Sequence, residues 1–345
     1  MNNQLELDLG LPRIKDALTD RQTDERPQTL EEKVEQAKDA VLLAADMSKK
    51  YYQKPLIVTY SGGKDSDVLL HISEKYIKPD EFEVLNSHTS VDAPQTVYHI
   101  REVFKRLESK GIKATVYQPR YKDGTPITMW NLIPKKLVPP TRNVRYCCSI
   151  LKETSTPNRL CLTGVREAES KKRHGRDIFQ IQGKSYKEAL YFSLNHANEV
   201  HKEAQEIQDD VWDCTLIKRM KEHNNIIVNP IYYWKDEDIW EYIKQENIKT
   251  NPLYQMGYKR VGCIGCPLAT YKNVMKEFSD FQQYKKMYIK TFDRMLEARK
   301  LAGKSNDGDG YHAWKTGQDV FDWWVESYKR IPKGQYSLFN EDIYG

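Results

Sequence analysis

Apolar residues along this chain fall into short blocks, and the spacing within them alternates between two periods. Val34, Ala37, Val41, Ala44 and Ala45 lie on one 3.6-residue stripe, which predicts a helix. Thr29, with Glu32 three residues on, supplies a capping box at its start. Pro55 to Tyr60 is a continuous apolar run, as expected of a strand buried on both faces of a parallel sheet. Val68, Leu69 and Ile72 then mark the inner face of a helix. Further strands are predicted at 82–85, 114–117, 160–163 and 226–228. Helices are predicted at 94–110, with a proline in the first turn, and at 236–245. Strands alternating with helices predict an α/β fold: a parallel twisted sheet with helices on both faces. Ligands of such sheets sit at the carboxyl ends of the strands.

Three regions break the rhythm. Residues 1–28 have little periodicity and read as a flexible N-terminal arm. Residues 177–222 are polar and read as a partly helical insert in a domain spanning 29–270. Residues 271–345 read as a C-terminal helical extension. Within it, Phe281, Tyr284, Tyr288, Phe292 and Met295 share one face of a helix expected over 278–298, and a capped, aromatic helix is expected within 311–324. From Lys272 to Lys304 there are nine Lys or Arg against four Asp or Glu, so the outer face is basic. That face is either a solvated surface or a track for a nucleic-acid backbone.

Composition adds limits. With 39% hydrophobic and 30% charged residues, the chain is of ordinary globular type. No apolar stretch approaches the ~20 residues of a membrane span. The N-terminal residues lack the apolar core of a signal peptide, so a cytoplasmic location is expected, with no membrane partner. A formal net charge of +5 on 345 residues permits a nucleic-acid partner without requiring one.

Two motifs carry chemistry. The first is Ser61-Gly62-Gly63-Lys64-Asp65-Ser66, between a strand and a helix. Its glycines let backbone N–H groups turn inward, the helix N-terminus adds partial positive charge, and Lys64 adds a full one. Ser61 and Ser66 offer hydroxyls. The loop is an anion cradle, or else a turn that uses glycine for geometry alone; its adjacent glycines separate it from the longer G-x-x-x-x-G-K-[ST] loop. The second motif is the cysteine set. Of six cysteines, Cys147 and Cys148 are adjacent and Cys263 and Cys266 form C-x-x-C. Four thiolates suit zinc or an iron–sulfur cubane, or remain uncoordinated. Adjacent cysteines are awkward ligands for one ion, whereas a cubane offers each a separate iron. Cys161 and Cys214 read as packing or surface residues. Lys135, Lys136, Arg142 and Arg145 precede the cysteine pair, and Arg166, Lys171, Lys172, Arg173 and Arg176 follow the next strand. They are either a solvated face or cations converging on phosphates.

The S-G-G-K-D-S loop resembles that of the N-type ATP pyrophosphatases. Thr163-Gly164-Val165-Arg166 through Arg173, Asn229-Pro230 through Trp234 and Trp240, Asn251-Pro252-Leu253-Tyr254, and Gly262-Cys263 through Pro267 resemble the phosphoadenylyl-sulfate (PAPS) reductase family in order. The resemblance covers about residues 52–270. It implies the adenine nucleotide alpha-hydrolase-like fold, with ATP held by Ser61 to Ser66, Gly164, Arg166 and Arg173, and with Lys64, Asp65 and Arg166 in catalytic roles. Mg²⁺ would bridge the phosphates beside Asp65. The pattern CC…CxxC is similar to that of family members with a [4Fe–4S] cluster, on Cys147, Cys148, Cys263 and Cys266, including DNA phosphorothioation sulfurtransferases (DndC type). Reductases of the family attack sulfur with a cysteine in a C-terminal tail, and no cysteine follows Cys266 here. The expected activity is therefore an ATP-pyrophosphatase-type sulfurtransferase that adenylylates an acceptor, DNA foremost, with a cysteine desulfurase as sulfur donor. The alternatives are an adenylyl-sulfate reductase releasing sulfite and a non-catalytic nucleotide-binding partner protein.

Overall fold

A computed structural model describes residues 26–156, 159–169, 178–181, 226–304 and 314–329. Its strands are β1 (Leu56–Thr59), β2 (Phe82–Ser87), β3 (Lys113–Tyr117), β4 (Leu160–Leu162), β5 (Phe179–Ile181) and β6 (Ile226–Val228). They form one sheet in the order β3-β2-β1-β4-β6-β5. The first five of that order are parallel, with Val58 opposite Val84 on one side and Leu162 on the other. The edge strand β5 runs antiparallel to β6. It falls at 179–181, inside the segment expected to be a partly helical insert. The rest of the insert, with Cys214, lies outside the described residues.

The helices of the sheet half are α1 (Leu30–Met47), α2 (Lys64–Tyr76) and α3 (Pro94–Ser109). The described residues add α4 (Met129–Lys136), α5 (Tyr146–Leu151), α6 (Asp236–Gln245), α7 (Tyr271–Asp280), α8 (Gln282–Leu301) and α9 (Gly317–Glu326). Thr29 and Glu32 form the expected capping box on α1. The single helix expected over 278–298 is two helices broken at Phe281, whose φ of −121° and ψ of 60° leave the helical region. Asp280, one residue before the break, receives Tyr258 and Lys276.

Apolar side chains separate into two cores. One fills the sheet and α1, α2, α3 and α6, and includes Val41, Val58, Leu69, Val84, Phe104 and Trp234. The other joins α4, α5 and the C-terminal helices, around Tyr288, Phe292, Phe321 and Trp324, all fully or almost fully buried. The aromatic stripe expected on the extension is thus core: Tyr288, Phe292 and Met295 are buried, while Phe281 and Tyr284 are partly so. No helix among the described residues is long and apolar enough to cross a membrane.

Candidate functional site

Strand order reverses direction at β1, whose neighbours are β2 and β4. The loops leaving the carboxyl ends of β1, β4 and β6 therefore meet over one stretch of sheet rim. After β1, Gly62 takes a φ of +73°, a conformation that favours glycine, and its missing Cβ leaves room for Ile100 and Thr96. The chain then enters α2 at Lys64. After β4, Gly164 passes so close to the backbone of Asp65 that a Cβ there would lie 3.1 Å from the Asp65 carbonyl carbon. That approach delivers Arg166. After β6, residues 229–234 lead to Asp236 in the first turn of α6.

These three loops create an interlocked set of charges. Arg166 donates from Nε to Asp65 Oδ1 at 2.6 Å and from Nη2 to Asp236 Oδ1 at 2.9 Å. Its Nη1 donates to the Trp234 carbonyl. Lys64 Nζ lies 2.9 Å from Asp236 Oδ1 and 3.5 Å from Asp65 Oδ2. Both cations are almost fully buried, so carboxylate partners offset a desolvation cost that neither could bear alone. Burial works against the charge on Asp236, yet Lys64 and Arg166 hold its carboxyl below the ordinary range. Asp236 escaped the motif-level reading. Its signal was its place in the first turn of a helix after an apolar strand and Trp234.

The loop itself is well supplied with internal partners. Ser66 turns its hydroxyl inward, accepting from the N–H groups of Ser61 and Gly63 and donating to the Gly63 carbonyl. The Lys64 N–H donates to the Tyr254 hydroxyl at 2.8 Å. Asn251 donates to the Gly62 carbonyl and to Thr96. Ser61 is exposed at the mouth. Beneath the loop, Tyr60 donates to Asp67 and His99 sits within hydrogen-bond distance of both, an enclosed polar trio.

The second motif forms beside the first. Ile264 donates its N–H to the Val91 carbonyl, Cys263 bridges to Asp92, and the Cys263 thiol contacts the Thr89 hydroxyl at 3.5 Å. The C-x-x-C turn is thereby seated on the loop leaving β2. Cys147 and Cys148 open α5, and the Cys147 thiol donates to Cys148. That bond, with Arg145 donating to Cys148 at 3.3 Å, brings the Cys148 thiol down to about 5. The partner thiol of Cys147 is pushed far up by the same hydrogen bond and by burial, with Cys263 and Cys266 adding their charge. Burial raises Cys263 to about 11. The four thiols thus lie within electrostatic reach of one another, with Lys152 facing Cys263, Asp92, Cys266 and Cys148. Among the described residues, no group of three or more His, Cys, Asp or Glu closes on a single metal-ion position. Of the other cations, Arg142 donates to the Ala269 carbonyl and Lys135 lies over the Tyr121 ring. Arg173, Lys171, Lys172 and Arg176 lie outside the described residues. Cys161 is buried in β4, as expected of packing.

One segment links the motifs. Val261 packs against Gly63, and Cys263 follows two residues later. Their α-carbons are therefore at most about 7.6 Å apart, two peptide links.

Residues 55–269 match the family model of the phosphoadenosine phosphosulfate reductase domain. The chain belongs to that family. The matched span holds the whole charge network and all four cysteines of the two motifs; α7, α8 and α9 follow it. An uncharacterized protein of Methanocaldococcus jannaschii is 23% identical over 319 residues, which is 90% of this chain and 62% of that protein, so the chain spans less than two thirds of that relative. An adenosine 5'-phosphosulfate reductase of Anoxybacillus flavithermus is 18% identical over 227 residues, covering 64% of this chain and 76% of that one. The crystal structure of a phosphoadenylyl-sulfate reductase from Candida auris aligns with 69% of this chain and 97% of its own, at 15% identity and a TM-score of 0.39.

Proposed function

We propose that this family member is an ATP-dependent sulfurtransferase. It binds ATP over the Ser61–Ser66 loop and carries a [4Fe–4S] cluster on Cys147, Cys148, Cys263 and Cys266. The reading is carried by one observation: the segment that packs on the glycine loop at Val261 continues directly into the C-x-x-C turn. A nucleotide on that loop and a group held by the thiols would share one stretch of rim. Two partly buried cysteine pairs within electrostatic reach of one another, with Arg145 and Lys152 as neighbours, suit an anionic iron–sulfur centre. When bound, such a centre would supply a site for holding sulfide.

The residues present define what the chain does with ATP. Lys64 and Arg166 carry the charge that an incoming phosphate requires, and both are already aimed at the place where Asp65 and Asp236 now lie. Phosphate oxygens would exchange with these carboxylates. The freed Asp65 would then face a phosphate-bound Mg²⁺. An acceptor oxygen attacks the α-phosphorus, the bond to the β-phosphate breaks, and pyrophosphate leaves with its charge stabilised by Lys64. Two thiols of a reductant convert the donor's persulfide to sulfide, leaving as a disulfide. The sulfide attacks the acceptor phosphorus, the bond from that phosphorus to the adenylyl-bearing oxygen breaks, and AMP departs with that oxygen. DNA is the acceptor of first choice and a cysteine desulfurase the sulfur source. Arg173 would join the phosphate contacts.

Anaerobic protein should be brown, and Cys147→Ser, Cys148→Ser, Cys263→Ser and Cys266→Ser should each bleach it. Colour kept by all four variants would remove the cluster from the reading. Pyrophosphate release should appear with ATP and one of single-stranded DNA, double-stranded DNA or RNA. Sulfite release from adenylyl sulfates in the presence of a thiol, with no pyrophosphate formed, would make the protein a reductase instead.

A further inference from the structure

The C-terminal helices follow the family-matched span, yet their polar side chains point back into it at one place. Glu277 of α7 accepts the Gly265 N–H at 2.7 Å. Tyr288 of α8 donates to the Ile264 carbonyl at 2.9 Å, and Tyr328 after α9 donates to the Gly265 carbonyl at 3.0 Å. Three residues from three elements thus hold the two residues between Cys263 and Cys266. Gly265 has a φ of +70° and lies directly against Trp324, where a Cβ would come within 2.8 Å of the indole. The same helices grip the approach to the other cysteine pair. Trp324 donates its indole N–H to the Pro140 carbonyl at 2.7 Å, and Arg299 donates to the Leu137 carbonyl at 2.8 Å.

These contacts are not those of a helical layer that only covers apolar surface. Tyr288 and Tyr328 are buried, so each hydroxyl needs a partner inside the protein, and each takes a carbonyl of the ligand-bearing turn. Carbonyls that are tied backwards to the helices are not free to reorient, and the thiols of Cys263 and Cys266 are then presented by a fixed backbone. We infer that the C-terminal helical extension is the template of the cysteine centre, with Glu277, Tyr288 and Tyr328 as positioning residues for the Cys263–Cys266 turn. The inference rests on the cluster reading for its metal readout, but its geometry concerns the thiols themselves.

The test uses the full chain with Tyr288→Phe, Tyr328→Phe, Glu277→Ala and Glu277→Gln, each checked for wild-type circular dichroism. In the metal-free protein, the rate at which an alkylating reagent labels the thiols is measured. After anaerobic loading with ferrous iron and sulfide, the rate of iron loss to a chelator and the paramagnetic spectrum of the reduced protein are measured. Each removed hydroxyl, and Glu277→Ala, should speed labelling and iron loss by roughly 5- to 10-fold and broaden the spectrum, the size set by one lost hydrogen bond. Glu277→Gln, which keeps an acceptor for the Gly265 N–H, should restore wild-type rates. Folded variants with wild-type labelling rates would overturn the inference. A wild-type protein that takes up no iron would sink the cluster reading alone, because the labelling comparison still decides the template.

Discussion

The two halves of the rim solve opposite problems. Around the glycine loop, buried charges are neutralised by other charges: Lys64 and Arg166 against Asp65 and Asp236. Around the cysteines, Arg145 and Lys152 face the thiols, but the backbone of the C-x-x-C turn is held by single hydrogen bonds. A glutamate and two tyrosines hold backbone groups from within an aromatic core. The first arrangement suits a ligand that comes and goes, since an incoming anion takes over interactions already formed. The second suits a resident group, since the residues that hold the turn are locked in an aromatic core. Lability is built from ion pairs and permanence from packing.

Four substitutions would break or sharpen this contrast. The largest effect is expected of Arg166→Ala, which leaves Asp65 and Asp236 to share Lys64 alone. Removing one side of a buried pair should cost about 3 kcal/mol in denaturant unfolding and abolish ATP binding. A shift under about 1 kcal/mol would mean that the network is not mutually dependent. Next, Gly265→Ala should cost about 2–3 kcal/mol, through overpacking against Trp324 and an unfavourable positive φ. Its ATP affinity should stay at wild type if the halves are separable. Third, Tyr254→Phe removes a hydroxyl that occupies the Lys64 N–H, so ATP should bind up to about fivefold tighter, one hydrogen bond's worth, by calorimetry. Weaker binding would show that the hydroxyl helps to hold the nucleotide. Last, Lys249→Ala breaks an exposed pair with Glu102 and should leave the unfolding midpoint unchanged.

The sheet half was legible because its rules are local. A run such as Leu56–Thr59, ending in glycine and followed by an amphipathic stretch, has few alternatives, and α6 falls at the expected residues 236–245. Cooperative choices were not legible. The break at Phe281 interrupts an uninterrupted aromatic stripe, and the stripe carries no sign of it. The strand β5 is three residues long and exists only because β6 offers an edge. The short helix α5, which presents Cys147 and Cys148, has too few residues for a period to emerge. The family pattern named the loop and cysteines, but Asp236 is visible only once three loops have met. Tyr288 and Tyr328 look like ordinary core aromatics until their hydroxyls are traced.

The carboxylates seated on Lys64 and Arg166 have one more implication. A cradle of bare cations would gather ions from the surrounding solution and release them when a nucleotide arrived, making affinity steeply dependent on ionic strength. Here the counter-ions are tethered to the polypeptide. Under the proposed function, nucleotide capture is an internal swap of one anion for another, and its strength should vary little with added salt.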